Sequence, residues 1–214
     1  IDKNKIHVIS TPVNLKKYEK FDQAKVEANQ KEFPGKNILF IGRLEPVKNL
    51  VWFLGVFKNV LEEYKNVNLI IGGSGSLEGK LKAKVKNLNL ENNVKFLGRV
   101  DHDDLADFLH FCHFLVLPSV SESFGKTLIE ANVCSKAVIA TTTTGAQEII
   151  TDGENGFIVP IDNKQALQDR ILELLNNPKL AQEMGESGKK LVTHRYGNNT
   201  QKIVELWKHL TKKG

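Results

Sequence analysis

The chain has 214 residues, of which 41% are hydrophobic and 26% charged, with a net charge of +5. That length supports one substantial core, and no uninterrupted apolar run reaches the roughly 18–20 residues that span a bilayer. The lysines are mixed with acidic residues and their clusters are short (Lys16-Lys17, Lys189-Lys190, Lys212-Lys213). This describes a solvated basic surface rather than a nucleic-acid-binding arm, with weak attraction to phosphate-bearing ligands or anionic lipid headgroups as the alternative.

The opening Ile1-Asp2-Lys3-Asn4-Lys5 lacks the apolar stretch of a signal peptide. A start at Ile rather than Met sets the expectation of a fragment with further sequence upstream. The stretch that follows, Lys5–Ser10 and the helix-like Leu15–Lys31, reads as an interdomain connection and domain start over residues 1–35, rather than as core. Asn37–Ile41 is a short apolar run ending at Gly42, which predicts a buried strand. From Asn49 to Lys65, apolar residues recur at three and four spacing, the signature of one helix face.

Further strands are predicted at Asn68–Ile71, Val94–Leu97, Phe114–Leu117, Ala137–Ala140 and Phe157–Val159. Helices are predicted at Leu77–Leu88, Asp103–Phe111, Lys126–Asn132 and Ala146–Ile150, then at Asn163–Asn176, from Pro178, and after Gly197 toward Lys212. Near-continuous apolar strands alternating with helices predict an α/β domain, a Rossmann-like parallel sheet with helices on both faces. Such a sheet binds ligands outside the carboxyl ends of its strands, where the order of strands reverses.

The residues that follow the strands are the unusual ones. Arg43 and Lys48, five residues apart after the first strand, fit either a clamp on a diphosphate or a basic loop in water. Gly72-Gly73-Ser74-Gly75 matches neither the dinucleotide fingerprint nor the Walker pattern, and reads first as a tight strand–helix turn. Glu122 and Glu130 stand eight residues apart, one in a loop and one in the helix that begins near Gly125. That separation is too wide for the roughly 5–10 Å acid/base pairs of glycosidases. Two separate acceptors along one hydroxyl-rich ligand fit better, with the free amides near Gly125–Leu128 facing its anionic part, and a capped helix with solvent-facing acids is the alternative.

Thr141–Gly145 serves equally as a helix cap or a pocket wall, while Asp152-Gly153 and Asn155-Gly156 read as turn dipeptides only. Cys112 and Cys134 are far apart among apolar neighbours and read as buried, reduced thiols. The histidines form no ligand-spaced cluster, and His110 and His113, flanking Cys112, are assigned to packing rather than to a metal.

Taken together the motifs carry a resemblance. Ile41-Gly42-Arg43-Leu44-Glu45-Pro46-Val47-Lys48-Asn49-Leu50 resembles the G-R-L-x-x-x-K-G/N segment of family-four retaining GT-B glycosyltransferases, the glycosyl transferases group 1. Ile70–Gly75, Val94–Val100, Leu117-Pro118-Ser119, the E-x7-E block Glu122–Glu130 and Gly153–Pro160 follow in that family's order and approximate spacing, over Lys36–Val192. The resemblance implies the C-terminal, donor-binding half of a GT-B fold, with a nucleotide-sugar-binding domain over residues 36–195. Residues 196–214 would form a C-terminal helix packing toward an N-terminal acceptor domain. It implies transfer of a sugar from a nucleoside-diphosphate sugar, UDP-sugar first and GDP- or ADP-sugar next, to the hydroxyl of a glycan, lipid or small molecule.

By the same resemblance Arg43 and Lys48 bind the donor diphosphate, Glu122 contacts sugar hydroxyls, and Glu130 contacts the ribose. Gly42, Gly73, Ser123, Phe124, Gly125, Lys126, Thr127 and Leu128 line the sugar and phosphates, and Arg99-Val100 lies near the base. No metal or other cofactor and no nucleic acid is implied, and the setting is cytoplasmic with peripheral membrane contact open. The sequence departs from the family at Ser123, where glycine is usual, and at Lys126, where an apolar residue is common. That lysine either adds charge near the phosphates or points to solvent. A GT-B epimerase and a non-catalytic nucleotide-sugar-binding module stand as the rival readings.

Overall fold

Each short apolar run becomes a parallel strand: β1 (Lys36–Ile41), β2 (Val67–Gly72), β3 (Val94–Gly98), β4 (Phe114–Leu117), β5 (Ala137–Thr141) and β6 (Gly156–Val159). The computed structural model describes residues 13–211 and joins all six strands in one sheet of order β3-β2-β1-β4-β5-β6. Every residue of β2, β4 and β5 is buried, as a sheet covered on both faces requires. β1 pairs with β2 from Lys36↔Val67 to Ile41↔Gly72 and, on its other edge, with β4 at Ile38↔Phe114 and Leu39↔Leu115.

Ten helices are described: α1 (Leu15–Glu19), α2 (Gln23–Glu32), α3 (Leu50–Glu63), α4 (Glu78–Asn87), α5 (Leu105–Phe111), α6 (Lys126–Val133), α7 (Thr144–Ile149), α8 (Lys164–Asn176), α9 (Pro178–Tyr196) and α10 (Asn199–Thr211). α3 buries Leu50, Phe53, Leu54, Val56, Phe57 and Val60 and packs with α4 and α8; α6 packs with α1 and α9. The chain winds outward from β1 to β3, then returns to place β4 on the opposite edge of β1. The crevice above the carboxyl ends of β1 and β4 is therefore the switch point, where an open α/β sheet takes its ligand.

Two expectations need correction. The opening stretch does not stand apart from the core: Val13, Leu15, Tyr18, Val26 and Phe33 are buried within it. It is also two helices rather than one, because Asp22 caps α2 by accepting from the amides of Ala24 and Lys25. Polar contacts add to these apolar ones, and α2 is only weakly amphipathic, so the stretch shows little apolar periodicity in the sequence. The Asp22 amide donates to the buried Asp107 at 2.7 Å, and Lys25 pairs with Asp104 at 2.6 Å. Lys5–Ser10 lies outside the described residues.

The second correction concerns Asn155, read as a turn residue only: it does lie in the turn before β6, but it also has a role in the core. It is fully buried and donates to Asn132 Oδ1 at 2.8 Å and to the Ile149 carbonyl at 3.2 Å, while accepting from the Thr151 amide at 2.7 Å. The cysteines are free and buried, as expected. Burial pushes the Cys112 thiol up to about 11 and the Cys134 thiol up to about 12, which leaves both unreactive at neutral pH.

Candidate functional site

The loops after β1 and β4 meet at the switch point. Val120 donates its amide to the Val47 carbonyl at 2.9 Å, which fixes one loop against the other. Lys48 ends a short 3-10 turn, Pro46–Lys48, and its ammonium reaches across the crevice to pair with Glu122 Oε2. Both side chains are largely covered, at 13% and 19% exposed, so this pair is less screened than a surface one. Glu122 Oε1 accepts from the Gly125 amide at 3.3 Å, and the Glu122 carbonyl accepts from the Gly145 amide at 2.8 Å. Arg43, five residues before Lys48, is exposed and makes no described ion pair.

A second loop contact supports the first. Glu45 accepts from the Ser76 amide at 3.0 Å and its hydroxyl at 2.7 Å, and these bonds hold its carboxyl below the usual range. Gly73 lies under this loop with φ +136°, and a Cβ there would sit 1.9 Å from the Gly42 carbonyl oxygen. Close approach of the two backbones, which the Gly72-Gly73 pair permits, is what brings the loops after β1 and β2 together.

α6 starts at the same crevice. Gly125, at φ +73°, turns the chain into it, and no side chain caps the helix. Leu128 bonds back to the Gly125 carbonyl, while the amides of Lys126 and Thr127 have no described acceptor, so they and the helix dipole face the crevice. Leu128 and Ile129 are core, and Phe124 packs edge-on against Tyr196 with ring centroids 6.1 Å apart.

One turn further along, Glu130 is only 3% exposed. Its Oε1 accepts from the Tyr18 hydroxyl at 2.5 Å and pairs with Lys126 at 3.2 Å. Lys126 is half exposed and pairs with Glu130 one turn along α6, so its ammonium stands at the edge of the crevice with one carboxylate partner. Burial, and then Glu130, push the Tyr18 hydroxyl well above the usual tyrosine range, so it remains a donor at any physiological pH. Glu122 and Glu130 have separate cations and share no hydrogen-bond partner.

Three hollows open around these groups. One of about 330 Å³ is bordered by Gly42, Arg43, Gly73, Arg99, Val100 and His102. Another of about 420 Å³ is bordered by Glu122, Ser123, Thr142, Thr144 and Gln147. The third, about 270 Å³, lies between Asn14, Tyr18, His102 and Lys126. The threonine run therefore does both of the things open to it: Thr143 caps α7 through the Ala146 amide, and its neighbours line a hollow. A separate cavity among Lys36, His113 and Lys136 lies at the amino ends of the strands, away from the crevice.

Most of the expected residues are thus gathered: Gly42, Arg43, Lys48, Gly73, Arg99, Val100 and the run Glu122–Glu130. Sequence reasoning missed Tyr18 and His102, and met the buried Ser119 only as part of the Leu117-Pro118-Ser119 motif, with no role given to it. The Ser119 hydroxyl is the buried side-chain polar atom without a partner among the described residues, and it lies at the end of β4 beside the crevice. The Pro118-Ser119 break marked its position, but nothing in the sequence pairs Tyr18 with a residue 112 positions away.

The family model for glycosyl transferases group 1 matches residues 21–191. The chain belongs to that family. An uncharacterized glycosyltransferase of Methanocaldococcus jannaschii is 39% identical over 154 residues, 71% of this chain and 41% of that protein. A C-terminal domain of a glycosyl transferase group 1 protein from Francisella tularensis superposes with a TM-score of 0.76 at 26% identity, covering 86% of this chain and 98% of that one. The Anabaena protein HepE in complex with UDP shares the fold with a TM-score of 0.83 at 22% identity, covering 95% of this chain and 57% of that one. This group 1 chain is thus the Rossmann-like C-terminal half of a GT-B fold, and it spans less than half the length of the curated relatives named first among its matches.

Proposed function

We propose that this chain is the nucleotide-sugar-binding half of a retaining glycosyltransferase, which moves a sugar from a nucleoside-diphosphate sugar to an acceptor hydroxyl. The observation that carries the reading is the covered Lys48–Glu122 pair across the β1/β4 switch point, beside the uncapped start of α6. Without a donor, the anion nearest Lys48 is Glu122. With one, Lys48, Arg43 and the amides of Lys126 and Thr127 converge on the diphosphate and stabilise it as it departs, by charge placed before the reaction begins. Glu122, released from Lys48, accepts from sugar hydroxyls in the hollow it shares with Ser123 and Thr142. Glu130 takes the ribose, and the base lies against Arg99 and Val100.

UDP-sugar is the donor this reading favours, supported by the UDP-bound Anabaena neighbour of the same fold. The acceptor, a glycan, lipid or small molecule, is contributed through the other half of the protein. α10 presents Ile203, Val204 and Trp207 to solvent, and that face is assigned to packing toward that half. The reading places the chain in the cytoplasm, which its two free, buried thiols support. No helix among the described residues is long and apolar enough to cross a membrane.

Calorimetric titration with UDP, GDP, ADP and their glucose conjugates tests the reading. Lys48→Ala should weaken nucleoside diphosphate and nucleotide sugar alike, roughly 10–100-fold for one lost charge-assisted contact. Glu122→Ala should weaken only the sugar conjugate. Equal affinity of the native chain for nucleotides with and without sugar, unchanged by Glu122→Ala, marks a plain nucleotide-binding module instead. Appearance of an epimerised donor in the absence of acceptor would overturn the transferase assignment.

A further inference from the structure

We infer that Tyr18, contributed by the segment ahead of the sheet, is a positioning residue that aims Glu130 at the vicinal hydroxyls of a nucleoside ribose. The inference rests on the donor-site reading above and extends it to a residue outside every motif of the chain.

A carboxylate 3% exposed on a helix is costly unless its lone pairs are met. Here the Tyr18 hydroxyl and the Lys126 ammonium both address the same oxygen, Oε1, at 2.5 and 3.2 Å. Among the described residues no hydrogen bond is made to Oε2, so the contacts made by Tyr18 and Lys126 fall on one oxygen and leave the other without a described partner. A structural role alone, satisfying a buried carboxylate, would not concentrate both donors on a single oxygen.

Tyr18 is itself fixed at both ends. Its carbonyl accepts from the Cys134 thiol at 3.3 Å and lies 3.1 Å from His110 Nε2, while Phe21 stacks on His110 with centroids 3.8 Å apart. A phenol so anchored presents its O–H from one direction only, which fixes the carboxylate rotamer rather than following it. Both partners of Glu130, Tyr18 and Lys126, border a hollow with Asn14 and His102, and His102 also borders the hollow at Arg99-Val100. In the donor-site reading a nucleoside with its base at Val100 runs along that shared wall toward the Tyr18–Glu130 pair. The ligand chemistry that a fixed, single-faced carboxylate recognises is a pair of adjacent hydroxyls, each donating to it.

The experiment titrates the 214-residue chain and its Tyr18→Phe variant with whichever of UDP, GDP and ADP binds best, and with its 2′-deoxy form. The native chain should prefer the ribonucleotide by about tenfold or more, the loss expected when a buried charged acceptor goes unpaired. Tyr18→Phe keeps the ring and should bring that preference to within about threefold, mainly by weakening the ribonucleotide. A Tyr18→Phe variant that retains the full preference overturns the inference, whatever its stability. If the native chain binds no nucleoside diphosphate, the donor-site reading itself falls and carries this one with it; if it binds without ribose preference, only the role of Tyr18 and Glu130 falls. Should Tyr18→Phe not fold, proton NMR of the native chain decides. The proton of the buried, hydrogen-bonded Tyr18 hydroxyl should shift when the ribonucleotide is added and not when the 2′-deoxy form is; equal shifts, or none, overturn the inference.

Discussion

At the scale of single residues, buried polar groups decide more than their number suggests. Asn155 holds Asn132 and Ile149 by its amide and Thr151 by its carbonyl oxygen, all beneath α6 and α7. Asn132 in turn donates to the Lys136 carbonyl at 2.9 Å, so the pair ties the start of β5 to the approach to β6. Asn155→Leu preserves volume but leaves these partners unpaired. It should cost about 2–4 kcal/mol, read as a fall in thermal midpoint of roughly 5–10 °C with no change in the urea m-value. Lys48 and Glu122 follow a different logic under the donor-site proposal: their variants should lose ligand affinity more than stability.

The elements carry the site by where they end. β1, β2 and β4 stop in loops that contact one another through backbone, and Gly73 is the closest of those contacts. Gly73→Ala places a methyl against the Gly42 carbonyl at a φ that side chains avoid. A loss of at least about 1–3 kcal/mol in chemical denaturation is expected, together with loss of nucleotide binding as the loop bearing Arg43 moves. α10 is the converse case, a helix with apolar side chains that nothing described covers; Trp207 is 70% exposed. Trp207→Ser should leave the unfolding free energy of this chain within about 0.5 kcal/mol. A sedimentation series over concentration is expected to show no more self-association for the variant than for the native chain, since the largest exposed apolar side chain of the patch is gone.

At the scale of the whole molecule, stability should depend on pH through a histidine far from the site. His113 Nδ1 accepts from the Asn37 amide at 3.0 Å, and the His113 amide donates to the Asn37 carbonyl at 2.8 Å, binding β4 to β1 at their amino ends. Protonating Nδ1 would set donor against donor. Burial, helped by Lys36 and Lys136, lowers the His113 imidazole to about 4, below the roughly 6.5 of an unfolded chain. Between those values the unfolded chain binds the extra proton, so stability is full above about pH 6.5, falls as the pH drops, and levels off near 4. The loss should approach about 2–3 kcal/mol, and His113→Gln should flatten that part of a urea-denaturation pH profile. His110, also lowered by burial, adds in the same direction.

The order of strands and helices was legible because parallel strands buried on both faces read as short apolar runs, stopped by Gly42, Gly72 and Pro118. The crevice was legible because ligands of such sheets sit after those stops, and the Glu122–Glu130 spacing already separated two acceptors. Local pattern determined that much by itself, since each signal lies within one turn or one strand. Tertiary structure alone decided that Tyr18 and Lys126 share one oxygen of Glu130, that Lys48 spans the switch point to Glu122, and that residues 13–33 join the core. Those pairings lie up to 112 residues apart and depend on which loops the sheet order makes neighbours. No periodicity along the chain encodes that, because hydrogen bonds and ion pairs need one correctly placed atom rather than a repeated face.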